Sequence, residues 1–184
     1  MATQKHTLVA IVQDKPGVLN RMVSLFRRRG FNIDSIAVGH SETPHLSRVT
    51  IVVNGTTATV EQVRKQLDKL IDIVKVFDIT GEKITGRELA LIKVKANSAT
   101  RSEIIEIADI FRSNIVDVAT DSLTVEITGD EEKIDSMIKL LSGFGIKEIA
   151  HTGRIAMVRG NLGAVPAETE KPVKARSKKA AAKE

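Results

Sequence analysis

The sequence contains no cysteine, no tryptophan and no tyrosine, and its only aromatic residues are five phenylalanines. Without cysteine the chain can form no disulfide, no thiolate zinc site and no cysteine nucleophile. The scarcity of aromatic rings leaves little surface on which nucleic-acid bases could stack. The composition excludes disulfide-stapled and zinc-finger classes and is compatible with a reducing compartment.

Long apolar segments are also missing. The first residues, from Met1 to His6, contain no apolar stretch that could serve as a signal peptide. No apolar run elsewhere approaches the roughly 18 residues that are needed to span a bilayer. We therefore expect a soluble, cytoplasmic protein that does not bind membranes.

The net charge of +5 comes from the end of the chain. Residues 171–184 carry six basic side chains and one acidic side chain, whereas the other 170 residues carry 22 of each sign. A neutral body has no general attraction for a phosphate backbone. Short Lys/Ala tails more often increase solubility than bind a partner, so we expect no nucleic-acid partner; salt-sensitive DNA binding through the tail is the alternative.

Catalytic and phosphate-binding motifs are absent: the chain has no Gly-x-Ser-x-Gly, no Walker-type loop and no Gly-x-Gly-x-x-Gly. His40, Glu42 and His45 are the one histidine-rich cluster, but they fall in an expected hairpin loop, where polar residues are common. Three potential ligands without helical spacing are a weak indication of a metal site. We predict no catalytic residues, no metal and no cofactor in this chain, and hence no enzyme activity of its own.

Apolar periodicity divides the chain into two similar halves. In the first, a β-branched run at residues 6–13 ends at the turn Asp14-Lys15-Pro16-Gly17, and an amphipathic helix then extends to the basic residues before Gly30. The remaining elements of that half are predicted as strands at 33–38, 47–53 and 73–79 and a helix at 59–70. The second half is predicted as strands at 88–95, 116–119, 123–128 and 146–152 and helices at 102–112 and 131–141.

Both halves therefore have the order β-α-β-β-α-β, and the stretch TIVVNG at 50–55 matches TVEITG at 124–129 in register. This pattern predicts an α+β protein with two tandem ferredoxin-like βαββαβ domains. The predicted organisation is a first domain at 6–80, a linker at 81–87, a second domain at 88–158 and a flexible basic tail at 159–184. Because helices cover only one face of such a sheet, we expect a homodimer to cover what remains open.

One turn has properties that suit a small ligand. Free amide groups at the start of the first helix favour an anion such as an α-carboxylate, and Gly17 lets a ligand approach the backbone closely. Asp14 could then bind an ammonium group. Val18, Leu19 and Ile33 would offer apolar surface. The alternative is that Asp14 only caps the helix and that Pro16 and Gly17 only shape the turn.

The residues from Asp14 to Arg21 and from Leu25 to Ile36 resemble the ACT domain, and in particular the N-terminal region of acetolactate synthase small subunits. The Pro-Gly-Val-Leu turn is shared by many ACT proteins, whereas the stretch Arg-Gly-Phe-Asn-Ile-Asp-Ser is more diagnostic. Further similarity to the same family occurs at residues 46–51, 66–76 and 87–94, and at 110–112 with 115–118. The resemblance covers residues 6 to about 160.

This resemblance implies a regulatory subunit that binds and activates a large, thiamine-diphosphate-dependent catalytic subunit, in which Mg²⁺ and FAD are also expected. It further implies feedback inhibition by valine, and in some relatives by leucine or isoleucine. The family binds its effector between two ACT domains, so the resemblance predicts a homodimer through these domains. Its implied site consists of Asp14, Lys15, Pro16, Gly17, Val18 and Leu19 from one chain with Asn32 and Ile33 from the other.

Relatives often have Asn where this chain has Asp14, which leaves the identity of the effector open. A second hypothesis is a free-standing ACT-domain sensor that regulates another target. The neutral body and the lack of a helix-turn-helix segment disfavour a transcriptional regulator of that kind.

Overall fold

Nine strands and four helices are formed by residues 3–160, which are the residues that this computed structural model describes. The first eight strands and the four helices occur in the predicted order, so two tandem ferredoxin-like βαββαβ domains are confirmed. The tail that we predicted to be flexible lies, from residue 161 onwards, outside the described residues. The elements are β1 (Gln4–Gln13), α1 (Val18–Arg28), β2 (Ile33–His40), β3 (Leu46–Gly55), α2 (Thr57–Leu67), β4 (Ile73–Asp78), β5 (Ile84–Lys95), α3 (Arg101–Ile110), β6 (Asn114–Val118), β7 (Ser122–Gly129), α4 (Glu131–Ser142), β8 (Ile146–His151) and β9 (Ile155–Val158).

The first domain is an antiparallel sheet in the order β2-β3-β1-β4, with α1 and α2 on one face. Alternate residues of β1 face these helices and pack in the core, and so does the apolar stripe of α1. Helix α2 ends at Leu67, three residues before the predicted end. The carboxylate of Asp68 there accepts the backbone N–H of Val76 at 3.1 Å, which ties the end of the helix to β4.

The second domain repeats this arrangement with the order β6-β7-β5-β8 and has its own core between the sheet, α3 and α4. Helix α4 begins with a side-chain cap, because Asp130 accepts the backbone N–H of Lys133 at 2.9 Å. The two domains therefore have separate hydrophobic cores.

The short strand β9 was not predicted, and it joins the domains. It pairs with the start of β5, where Ile84 lies opposite Val158 and Arg87 lies opposite Ile155. Strand β5 thus begins at Ile84, inside the segment that we expected to be a linker, and continues into the second sheet. One continuous strand consequently takes part in both the β5-β9 ribbon and the sheet of the second domain.

The β5-β9 ribbon covers the face of the first sheet that its helices leave open. Val9 is fully buried on that face and packs with Ile79 and with Ala156 of β9, while Phe77, Ile84 and Val158 pack around them. Arg48 of β3 adds a hydrogen bond from Nη2 to the carbonyl of Ala156 at 2.8 Å. This face is thus covered within one chain rather than by the second copy that we expected to cover it. No helix among residues 3–160 is long and apolar enough to cross a membrane.

The buried position of Ala156 leads to a stability prediction with a control on the same strand. Ala156 is 2% exposed and Met157, which points the other way, is 67% exposed. We expect Ala156→Asp to lower the free energy of unfolding by about 3 kcal/mol or more, because it places an unpaired carboxylate in an apolar cluster. Met157→Asp should lower the free energy of unfolding by less than about 1 kcal/mol, because its side chain points to solvent. Urea denaturation of both variants measures the difference, and equal losses would show that the ribbon is not packed as described.

Candidate effector-binding site

The turn between β1 and α1 is exposed and is fixed by backbone hydrogen bonds. The N–H of Asp14 donates to the carbonyl of His45 at 2.9 Å, and the N–H of Gln13 donates to the carbonyl of Asp72 at 2.8 Å. Gly17 has φ 86° and ψ −7°, a left-handed conformation that favours glycine over residues with a side chain. The turn therefore presents an ordered backbone with no side chain at its sharpest point.

The N-terminus of α1 has no side-chain cap. Gly17 is the N-cap residue, and the first turn contains no acidic side chain. The helices α2 and α4 are capped by Thr56 and Asp130, whereas α3 also lacks a side-chain cap but has Glu103 in its first turn. The first amide groups of a helix lack partners within the helix and carry the positive end of its dipole. This end of α1 can therefore accept an anionic group such as a carboxylate.

The alternative in which Asp14 caps α1 is wrong. The Oδ2 atom of Asp14 lies 3.3 Å from Nδ1 of His40, the last residue of β2. Both side chains are well exposed, at 48% for Asp14 and 86% for His40. The carboxylate of Asp14 is consequently accessible, and a ligand ammonium group could take the place of the imidazole as its partner.

A cation also lies beside this turn, and our sequence reasoning did not assign it to the site. Arg21 is placed one helical turn after Gly17, and a Cβ atom built on Gly17 would be 3.9 Å from Nη2 of Arg21. The Nη1 atom of Arg21 lies 2.9 Å from Oδ2 of Asp72, which holds the guanidinium near the turn. The sequence does contain a signal for this position: Arg21 follows Gly17 by four residues, and residues four apart lie on the same face of a helix.

The apolar residues of the predicted site differ in their accessibility. Leu19 is 41% exposed next to the turn, whereas Val18 is 3% exposed and packs in the core of the first domain. Val18 therefore cannot offer its side chain to a ligand, and its backbone N–H already donates to the carbonyl of Lys15 at 3.4 Å. Ile33 is partly buried against the same core, and Lys15 and Pro16 are exposed.

Two parts of the predicted site lie at opposite ends of the sheet within one chain. Ile33 is paired with Val53 at one end of β3, while His40, which contacts Asp14, is paired with Ser47 at the other. Seven residues of strand separate them, which is roughly 23 Å. One amino acid cannot bridge that distance, so Asn32 and Ile33 could share a ligand with residues 14–19 only across two chains.

No group of three or more His, Asp or Glu side chains that could hold a metal ion occurs within residues 3–160. His40, the first member of the histidine cluster noted in the sequence, pairs with Asp14 instead. The chemistry of the turn is thus that of helix amides, one carboxylate and one guanidinium.

Known proteins resemble both domains. Residues 8–75 match the family described as "AHAS small subunit-like ACT domain", and residues 87–160 match "Small subunit of acetolactate synthase". The probable acetolactate synthase small subunit of Archaeoglobus fulgidus is 55% identical over 157 residues, which are 85% of this chain and 98% of that protein. The acetolactate synthase small subunit of Bacillus subtilis is 50% identical over 157 residues, covering 85% of this chain and 91% of its own length.

A solved structure extends this similarity to the fold. The acetolactate synthase small subunit from Thermotoga maritima superposes with a TM-score of 0.79 at 43% sequence identity, covering 86% of this chain and 99% of that one. The relatives thus align with almost their whole length, through both domains and the strand that joins them. This chain belongs to the family of acetolactate synthase small subunits.

Proposed function

We propose that this chain is a regulatory subunit that activates the thiamine-diphosphate-dependent catalytic subunit of acetolactate synthase and makes it sensitive to feedback inhibition by valine. Leucine and isoleucine are the other candidate effectors. The observation that carries the proposal is the uncapped, exposed N-terminus of α1 in a chain of this family. The catalytic subunit supplies the chemistry with its own thiamine diphosphate, Mg²⁺ and FAD, and this chain changes how often the active state is populated.

Each part of valine has a matching group in the candidate site. The α-carboxylate would accept hydrogen bonds from the first amides of α1, beside the guanidinium of Arg21. The ammonium group would bind the exposed carboxylate of Asp14, replacing His40. The isopropyl group would contact Leu19 and, from the second chain, Asn32 and Ile33.

A homodimer through the edge strand β2 would complete this site. Strand β2 pairs on one side with β3 and stands at the edge of the first sheet. Antiparallel pairing of β2 with β2 of a second copy would place Ile33 of that copy near His40, at the end of the sheet where residues 14–17 lie. That arrangement joins the two groups of residues that are about 23 Å apart in one chain.

Exposed apolar side chains lie where such a dimer would bury them. Leu19 and Val23, one turn apart on α1, are 41% and 43% exposed, and Val38 of β2 is 46% exposed. Val38 is paired with the core residue Val49, so its side chain lies on the face of the sheet that α1 covers. A second copy would therefore bury apolar surface from both α1 and β2.

Inhibition requires that valine bind the inhibited and active arrangements of the complex with different affinities. A ligand that contacts both copies satisfies this condition if the distance between the two copies across their α1 and β2 surfaces differs between the two arrangements. The coupling expected for such a system is about 1 to 3 kcal/mol.

The direct test is acetolactate formation from pyruvate by the purified catalytic subunit, alone, with this chain, and with this chain and L-valine. We expect activation by the chain and inhibition on adding valine. If the chain binds valine but neither associates with nor activates the catalytic subunit, it is a free-standing sensor that regulates another target.

Substitutions of Gly17 test the position of the ligand carboxylate. Gly17→Ala and Gly17→Asp both impose a side chain on a left-handed backbone, at a cost of about 1 to 2 kcal/mol, but only Asp adds negative charge. We expect Gly17→Asp to abolish valine inhibition while Gly17→Ala retains a weakened response. Valine titration of the reconstituted enzyme measures both. Full valine sensitivity in folded Gly17→Asp would show that the carboxylate binds elsewhere.

Substitution of Val23 tests the dimer. We expect Val23→Lys to raise the dimer dissociation constant by about tenfold or more, because it places a charge in an apolar interface. It should also weaken valine binding, since the site needs both chains. Ile71→Lys is the control, because Ile71 is 76% exposed and precedes β4 at the opposite edge of the sheet. Analytical ultracentrifugation with and without valine measures both effects; unchanged association of Val23→Lys would exclude this edge as the interface.

A further inference from the structure

The turn between β8 and β9 contacts β2 of the first domain. The backbone N–H of Arg154 donates to Oγ of Ser35 at 3.3 Å. Gly153 has φ 78°, and a Cβ atom built on it would lie 3.2 Å from the carbonyl oxygen of Ile36 and 3.4 Å from Cβ of Ser35. The turn and β2 are therefore in direct backbone contact at these residues.

The side chain of Arg154 extends from this turn into the second domain. Its Nε atom donates to Glu88 of β5 at 3.1 Å, and its Nη2 atom donates to Glu131, the first residue of α4, at 2.7 Å. The side chains of Arg154 and Glu88 are only 18% and 14% exposed, so this ion pair is less screened by solvent than a surface pair, whereas Glu131 is 35% exposed. Arg154 thus contacts β2 through its backbone and the second domain through its guanidinium.

A second connection reaches the same carboxylate from the first domain. Lys5 of β1 forms an ion pair with Glu131 and lies 4.0 Å from Asp34 of β2. Hydrogen bonding to Lys5 lowers the pKa of Glu131 below its ordinary value, and hydrogen bonding to Glu131 raises the pKa of Lys5. Glu131 is therefore a charged group held by Lys5 and by Arg154 together.

The contacted part of β2 is also its irregular part. The pairing of β2 with β3 shifts register between Ile33 and Ser35, so Asp34 lies in a bulge. A bulge interrupts the regular ladder of hydrogen bonds and lets a strand bend locally. Ile33, which belongs to the proposed effector site, is therefore separated from the Ser35 contact only by this bulge.

We propose that Arg154 is a positioning residue that transmits the effector-bound state of β2 to the second domain, through Ser35 on one side and Glu88 and Glu131 on the other. The inference rests on the proposed function, because it takes L-valine as the effector and the catalytic subunit as the target. Effector binding at Asn32 and Ile33 shifts β2 at its bulge, the β8–β9 turn follows, and the guanidinium moves β5 and α4 of the second domain.

The test uses the full chain reconstituted with its catalytic subunit, with L-valine as the probe. Arg154→Gln removes the charge that links the domains and keeps the backbone N–H that binds Ser35. We expect this variant to bind valine with a dissociation constant within about threefold of that of the unmodified chain and to activate the catalytic subunit. The valine concentration for half-inhibition should rise by about tenfold, within the usual range of allosteric coupling.

Arg87→Gln is the matched control. Arg87 precedes Glu88 on β5, is exposed, and donates to the carbonyl of the neighbouring Gly86 at 2.7 Å. It should leave valine binding and inhibition unchanged. A rise in the half-inhibition concentration equal to that of Arg154→Gln would assign the effect to general charge and overturn the proposal.

Ser35→Ala tests the other side of the connection and remains informative if Arg154→Gln fails to fold. It should also raise the half-inhibition concentration with little change in valine affinity. The double variant with Arg154→Gln and Ser35→Ala should have the same half-inhibition concentration as the stronger single variant, because both substitutions interrupt one connection. Additive effects, or normal inhibition in both single variants, would overturn the proposal. Failure of the unmodified chain to bind valine or to be inhibited would instead contradict the proposed function.

Discussion

The packing of β9 against the open face of the first sheet is the contact on which the rest of the structure depends. A ferredoxin-like domain protects one face of its sheet with its own helices, and the other face of the first domain has an apolar cluster in which Val9 is fully buried. Ala156 and Ile84, both from the β5-β9 ribbon, cover it. Because β5 continues into the second sheet, covering this face also fixes where the second domain lies.

This intramolecular cover determines which surface is available to a second copy. With the open face of the first sheet occupied, the first domain offers the edge of β2 and the exposed stripe of α1. The same edge carries both parts of the candidate site, the turn at one end of the strand and Ile33 at the other. The proposed dimer and the proposed effector site would therefore both depend on one strand, and that strand also contacts Gly153 and Arg154 of the β8–β9 turn.

Most of the fold could be predicted from the sequence because both domains use local signals. The helix α1 could be located from its apolar stripe, its basic last turn and Gly17, and the tandem arrangement from a duplicated strand motif. Strand β9 could not be predicted, because its four residues are all apolar and show no alternation of apolar and polar side chains. Its partner strand begins about seventy residues earlier, at Ile84. A strand of this kind is stabilised by packing against a distant part of the chain, and the local sequence gives no indication of that packing.

The site was predictable only in part for a similar reason. A helix N-terminus beside glycine follows from the sequence, but the side-chain partners do not. Asp14 could equally have capped α1, and only the hairpin between β2 and β3 brings His40 to it. Val18 was misjudged as ligand-facing apolar surface, since a valine at the first helical position can point either into the core or out of it. Arg154 was indistinguishable from the other basic residues until Glu88 and Glu131 were seen to lie around it.

The cover supplied by β9 also has a consequence for how the protein is synthesised. The first domain is complete once Asp78 has been made, but Ala156 emerges from the ribosome 78 residues later. At roughly 5 to 20 residues per second, the apolar face around Val9 stays open for about 4 to 16 seconds on each nascent chain. During that interval the first domain is a half-protected sheet that other nascent chains or chaperones can contact. A strand of four residues near the end of the described chain thus ends the period in which this apolar face is exposed on the nascent chain.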